Sequence, residues 1–192
     1  MSESVRSVLL AGVGGQGTIM ASDILSAVMI SAGFDTKKSE VHGMAQRGGC
    51  VSSHVRFGSK VYSPLAAKGD VDILVSFEKL ETLRYLEYLK TDGKVIINNE
   101  EIYPPSVNLG ETAYPDDAID FVKKHFKDVK VMDATAMALR SGDKRMANTV
   151  ILGVLSSWLD IEAGIWEYVL KKRFPPKILE GNINAFRLGR GV

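Results

Sequence analysis

The order of apolar and polar positions divides the chain into short strands and longer helices that follow one another in turn. Val8, Leu9, Leu10 and Ala11 form an apolar run without a polar break, the pattern of a strand buried on both faces of a parallel sheet. A glycine-rich turn follows at Gly12 to Gly17. Met20, Ile24, Ala27, Val28 and Ser31 then recur at helical spacing until Gly33 stops the helix. Thr36 to Val41 reads as a second strand. Val51, Ser53, Val55 and Phe57 alternate with Ser52, His54 and Arg56, a period of two that predicts a strand with one polar face. Gly58-Ser59 predicts a hairpin turn into Lys60-Val61-Tyr62.

The same rhythm continues. Asp72 to Phe77 is another buried strand, and Glu78 to Leu89 carries Leu80, Leu83, Leu86 and Leu89 on a helical stripe that the Asp92-Gly93 turn ends. Val95-Ile96-Ile97 is the next strand. Pro104, Pro105 and Pro115 bracket a loop that no regular element is expected to cross. Asp116 and Asp117 open a helix, Val129 to Met132 is a short strand, and Asp133-Ala134-Thr135 leads into a further helix. From Asn148 the chain is helical, broken at Pro175-Pro176. The expectation is an α/β protein: a three-layer α/β/α arrangement, Rossmann-like, with a mostly parallel sheet, an added hairpin and C-terminal helices. At 192 residues it should be a single domain, 1–192, whose helical part begins at about 148.

Composition narrows the function classes. Twenty-four basic and 23 acidic residues leave a net charge of +1, which gives no electrostatic footprint for nucleic acid or for an anionic membrane surface. No apolar run approaches the roughly 20 residues of a membrane span. The start lacks the basic and apolar stretches of a secretory signal, so a cytoplasmic protein is expected. The single cysteine, Cys50, excludes an internal disulfide and any cluster held by four thiolates of this chain; it reads as a packing residue.

Two stretches carry candidate chemistry. Gly12, Gly14 and Gly17 satisfy G-x-G-x-x-G directly after a strand and at the opening of a helix, where exposed N–H groups attract anions. The same glycines also suit tight packing of helix on strand with no ligand. A dinucleotide site would want an acid about 20 residues on, and Glu40 stands at about that distance, behind Lys37 and Lys38. The second stretch, His42 to Gly49, is too polar for a core strand and too rich in glycine for a helix. With its neighbouring strand it gathers His42, Gln46, Arg47, His54 and Arg56, a set able to hold an anionic or amide-bearing group. A solvated sheet face with a self-pinned loop is the plainer alternative. Two histidines twelve residues apart have no metal spacing, and His125, among lysines near a helix end, reads as solvated.

Together these residues resemble one family, the gamma-type subunits of the 2-oxoacid:ferredoxin oxidoreductases, and within it the small beta subunit of the indolepyruvate enzymes. The resemblance rests on Ala11-Gly12-Val13-Gly14-Gly15-Gln16-Gly17, on Ser39 to Gly49 with its His42-Gly43-Met44-Ala45-Gln46-Arg47-Gly48-Gly49 core, and on Ser53-His54-Val55-Arg56. Val61-Tyr62-Ser63-Pro64-Leu65, Phe77-Glu78-Lys79-Leu80-Glu81, Asn148 with Leu152-Gly153, and Arg173-Phe174-Pro175-Pro176-Lys177 extend it from about Val8 to Gly189.

The resemblance implies a complex that oxidatively decarboxylates an arylpyruvate, transfers the acyl group to coenzyme A and reduces ferredoxin. Thiamine diphosphate and 4Fe-4S clusters would sit on a larger alpha subunit, with none bound by this chain alone. The sequence agrees: Asp92-Gly93 and Asn98-Asn99 lie only one strand apart, as a turn and a strand end, and do not form a thiamine motif. No catalytic residue or metal ligand is expected here. The cofactor-facing set would be Gly12, Gly14, Gly15, Gln16, Gly17, His42, Gln46, Arg47, Gly48, His54 and Arg56, with Arg47 or Arg56 pairing with a phosphate or carboxylate. Three alternatives remain: a gamma subunit serving pyruvate, a branched-chain 2-oxoacid or 2-oxoglutarate; a stand-alone nucleotide-binding module with Glu40 on the ribose; and a purely structural subunit whose glycine loop only lets two backbones pack.

Overall fold

The computed structural model describes residues 4–43 and 49–192. Among these, β1 (Arg6–Val13), β2 (Asp35–His42), β3 (Cys50–Gly58), β4 (Val71–Ser76), β5 (Leu89–Asn98) and β6 (Val129–Met132) form one sheet in the order β2-β3-β1-β4-β5-β6. β1, β4, β5 and β6 run parallel, and β3 lies antiparallel between β1 and β2. The helices are α1 (Thr18–Ser31), α2 (Lys79–Tyr85), α3 (Pro105–Asn108), α4 (Ala118–His125), α5 (Ala134–Arg140), α6 (Ala147–Ser156), α7 (Ala163–Arg173) and α8 (Pro176–Arg190). No described helix is long and apolar enough to cross a membrane.

The unbroken apolar run of β1 has a direct cause. Val8 and Leu10 point into a core shared with α1, α5, α6, α7 and α8, while Leu9 and Ala11 point into a second core shared with α2 and α4. All four are at most 1% exposed, so neither face of the strand can carry a polar residue. The α/β class, the mostly parallel sheet and the C-terminal helices are as the sequence predicts.

Four local expectations are corrected. Residues 60–62 form no strand, because both hydrogen-bonding edges of β3 are taken, by β1 and β2; the hairpin is β2–β3, and the Val61 N–H donates to Asp35 Oδ2 at 2.8 Å instead. The leucine stripe from Glu78 overruns its helix: α2 stops at Tyr85, one 3-10 turn follows, and Leu89 begins β5. Asp92-Gly93 lies inside β5, where the pairing with β4 jumps from Val71↔Leu89 to Ile73↔Lys94. The proline-bracketed loop holds the short α3, with Pro105 at its first turn, where the missing N–H has no helical acceptor to lose.

α6 and α8 cross at two glycines. A Cβ on Gly153 would lie 2.1 Å from the Phe186 carbonyl oxygen, and one on Gly189 2.0 Å from that of Val150. Backbone cannot yield as a side-chain tip can. Gly153→Ala is therefore expected to destabilise the fold by about 3 kcal/mol. Gly164→Ala in α7, where a Cβ meets nothing within 4 Å, should stabilise it by about 0.5–1 kcal/mol. Urea unfolding of both variants checks the pair.

Candidate functional site

The turn after β1 is shaped by its own glutamine. Gln16 Oε1 accepts the Val13 N–H at 2.7 Å, and Gln16 Nε2 donates to the Phe77 carbonyl at 2.8 Å and to Glu100 Oε2 at 3.3 Å. A Cβ on Gly12 would lie 2.9 Å from Gln16 Oε1 and 2.7 Å from Thr18 Oγ1, so this position is glycine for packing. Gly17 combines a φ of 82° with a place 2.6 Å from Asn148 Nδ2 for any Cβ. Gly15 is different: its φ of 105° requires glycine, and nothing lies within 4 Å of where a Cβ would be. The Gly14 N–H donates to the Gly49 carbonyl at 2.9 Å, which ties the turn to the start of β3.

This geometry counts against a stand-alone dinucleotide site. The Gln16 side chain fills the space over Gly12 where a pyrophosphate would have to approach. Glu40 lies on β2, separated from β1 by β3, and is paired with Lys38, which also holds Asp23 on α1.

A cavity of about 490 Å³ opens at the carboxyl ends of the parallel strands, bounded by the Gly14–Gly17 turn, Phe77 after β4, Asn98 and Glu100 at the end of β5, Thr135 after β6, and Lys144, Arg145 and Asn148 leading into α6. It sits where the chain switches faces: the helix after β1 packs on one side of the sheet and the helix after β4 on the other. That is where open α/β sheets bind ligands. Glu100 Oε2 is fixed by Asn98 Nδ2 at 2.9 Å, Gln16 Nε2 at 3.3 Å and Thr135 Oγ1 at 3.4 Å. Asn98 is itself fixed, accepting the Ala134 N–H at 2.9 Å and donating to the Phe77 carbonyl at 3.1 Å. The opposite rim is cationic, with Lys144 beside Arg145, whose guanidinium grips Asp143 at 2.8 and 2.5 Å. That hydrogen bond holds the Asp143 carboxyl below its ordinary range and the guanidinium above its own. One held acid, fixed amides, two cations and a helix start together suit a ligand bearing both an anion and hydrogen-bond donors.

The predicted set divides. Gly14, Gly15, Gln16 and Gly17 line the cavity, and Gly12 lies just beneath the turn. Gln46, Arg47 and Gly48, and the side chain of His42, lie outside the described residues. His54 and Arg56 are not brought to the turn: they share a strand face, but β3 runs antiparallel to β1, so each step along it leads away from the turn. Cys50 stands opposite Val13 and Arg56 opposite Ser7, a separation of about 20 Å at 3.3 Å per residue. Arg56 spends its donors elsewhere, on Ser7 Oγ (3.0 Å), Asp70 Oδ2 (3.0 Å) and the carbonyls of Ser63 and Leu65 (3.3 and 3.0 Å). His54 is buried, its Nδ1 accepting the Ala66 N–H at 3.4 Å, and burial, with the nearby Arg56 charge, pushes its pKa down. Both residues pin the β3–β4 connection.

Asn98, Glu100, Thr135, Lys144, Arg145 and Asn148 were absent from the predicted set. A signal for the first three existed: each is among the first polar residues after an apolar strand, Val95-Ile96-Ile97 or Val131-Met132. Among the described residues, no group of three His, Cys, Asp or Glu is placed to hold a metal ion.

Residues 7–192 match the model of the pyruvate ferredoxin/flavodoxin oxidoreductase family. The chain belongs to that family. Among its relatives, indolepyruvate oxidoreductase subunit IorB of Thermococcus kodakarensis is 37% identical over 191 residues, which cover 95% of this chain and 93% of the relative. IorB of Pyrococcus horikoshii is 35% identical over 188 residues, again 95% and 93% of the two chains. The fold matches that of a 2-oxoglutarate:ferredoxin oxidoreductase from Magnetococcus marinus, solved with 2-oxoglutarate, coenzyme A and succinyl-CoA bound, with a TM-score of 0.76 at 20% identity; the match covers 99% of this chain and 31% of that longer one.

Behind Phe77, the start of α2 carries a buried acid. Glu81 is 4% exposed; one carboxyl oxygen meets Arg84 Nε at 3.1 Å, and the other is buried with no hydrogen-bond partner among the described residues. Burial pushes its pKa up to about 7, with Glu78 adding to the rise and Arg84 opposing it. Because the folded value is the higher one, the folded state holds its proton more tightly than the unfolded chain. The stabilisation is complete below the ordinary carboxylate range, near pH 4.5, and is lost as pH rises through about 7. Glu81→Gln should remove that dependence and leave the protein more stable at pH 8 by about 1–2 kcal/mol, allowing for solvent screening. Melting temperatures of both proteins from pH 4.5 to 8 test this.

Proposed function

We infer that this chain is the small subunit of an indolepyruvate-type ferredoxin oxidoreductase, working against a larger alpha subunit that carries thiamine diphosphate and 4Fe-4S clusters. The observation that carries the reading is the cavity at the strand ends, with its fixed acid and cationic rim, in a chain with 37% identity to IorB across 95% of its length. The reaction converts an arylpyruvate, coenzyme A and two oxidised ferredoxins into an acyl-CoA, carbon dioxide, a proton and two reduced ferredoxins. Thiamine diphosphate, when bound on the partner, supplies the carbanion stabilisation that decarboxylation needs.

The residues of this chain bind and orient. The glycine turn leaves open space at Gly15, where backbone can approach an anion closely, and Lys144 and Arg145 add charge across the cavity. Coenzyme A, with its phosphates, amides and hydroxyls, fits that mixture; an arylpyruvate carboxylate would stand against Glu100. His42, Gln46 and Arg47, in the stretch expected from the sequence to hold an anionic or amide-bearing group, would add donors for the same ligand.

Co-expression with the large subunit tests the assignment: the two should co-purify, and the large subunit alone should lose coenzyme A-dependent ferredoxin reduction. Within the complex, Arg47→Ala should raise the apparent KM for coenzyme A about tenfold or more, the value of one charge-assisted contact. Normal ferredoxin reduction by the large subunit alone would overturn the reading.

A further inference from the structure

The segment that follows β5 brings Glu100 and Ile102 into the cavity wall, then makes an excursion through α3 before reaching α4. It is fastened by the start of α2. The Lys79 N–H donates to the Glu100 carbonyl at 3.0 Å, and the Ile102 N–H donates to Glu78 Oε1 at 3.2 Å. Glu78 is fully buried, and its second oxygen accepts the Glu81 N–H at 2.9 Å. Tyr114, near the far end of the excursion, accepts the Leu80 N–H at 3.3 Å and donates its own O–H to the same Glu78 oxygen that holds Ile102. Burial, and then Glu78, push the phenol pKa upward, so it keeps its proton and remains a donor.

A buried carboxyl is a costly way to cap a seven-residue helix, since an exposed Ser or Asp serves as well. What burial adds here is one acceptor shared by both ends of the excursion. We propose that Glu78 and Tyr114 are positioning residues for the cavity: together they fix residues 100–102, and through them the reach of Glu100 toward the bound ligand. The inference rests on the reading of the cavity as the coenzyme A wall. Glu100 is thereby located twice, its side chain by Asn98, Gln16 and Thr135 and its backbone by α2.

The test uses the reconstituted two-subunit complex carrying Tyr114→Phe, which keeps the ring and removes the O–H. Amide hydrogen exchange at 100–102 should quicken about tenfold, and the apparent KM for coenzyme A should rise about fivefold, with kcat within twofold and the KM for the 2-oxoacid unchanged. Glu78→Gln, which keeps the shape and removes one acceptor, should act in the same direction and serves if the first variant does not fold. Tyr103→Phe, whose exposed hydroxyl reaches the Glu101 side chain at 3.4 Å and not Glu78, should change neither reading. Native exchange at 100–102, or faster exchange with an unchanged KM, overturns the proposal. Glu100→Gln separates the two failures: if it raises the KM while Tyr114→Phe does not, only the positioning role falls, and if neither variant does, the reading of the cavity falls with it.

Discussion

One amide side chain joins the ends of three strands. Gln16 closes its own turn by accepting from Val13, reaches across to the carbonyl of Phe77 after β4, and touches Glu100 after β5. A carboxylate there could not donate, an amine could not accept, and a hydroxyl could not span the distance; the primary amide does both at its own length. The turn, the β1–β4 crevice and the cavity acid are consequently one hydrogen-bonded unit. Gly12 has to be glycine because the amide lies over it.

That arrangement puts a familiar turn to another use. The glycines that elsewhere let a dinucleotide come close here make room for a residue of the same turn, and the space open to a ligand shifts outward to Gly15 and to the neighbouring strand ends. The antiparallel β3, wedged between β1 and β2, completes the change by carrying Glu40 a full strand away from the crevice.

Much of the fold was legible because burial on both faces leaves a strong mark: β1, β4 and the Val95-Ile96-Ile97 part of β5 carry apolar runs whose ends the chemistry announces. The overrun at α2 shows the limit. Leu86 and Leu89 continue a helical spacing that is equally compatible with a 3-10 turn and a strand beginning in the second core, and only the packing of β5 on β4 decides between them. The site was half legible for a related reason. Glycine announces itself by composition, whereas Asn98, Glu100 and Thr135 are ordinary polar residues that matter because four strand ends meet. Proximity in sequence does not bring Arg56 to the turn, because it lies toward the other end of β3 from Cys50.

The β2–β3 hairpin has an evolutionary corollary. Its connecting segment leaves and re-enters the sheet at adjacent points, His42 paired with Val51 and the Gly43 N–H bonded to the Cys50 carbonyl at 2.9 Å. Additional residues between those anchors would add only slowly growing closure entropy and would disturb no strand. A lineage can thus lengthen or rewrite that corner, residue by residue, while inheriting the sheet unaltered.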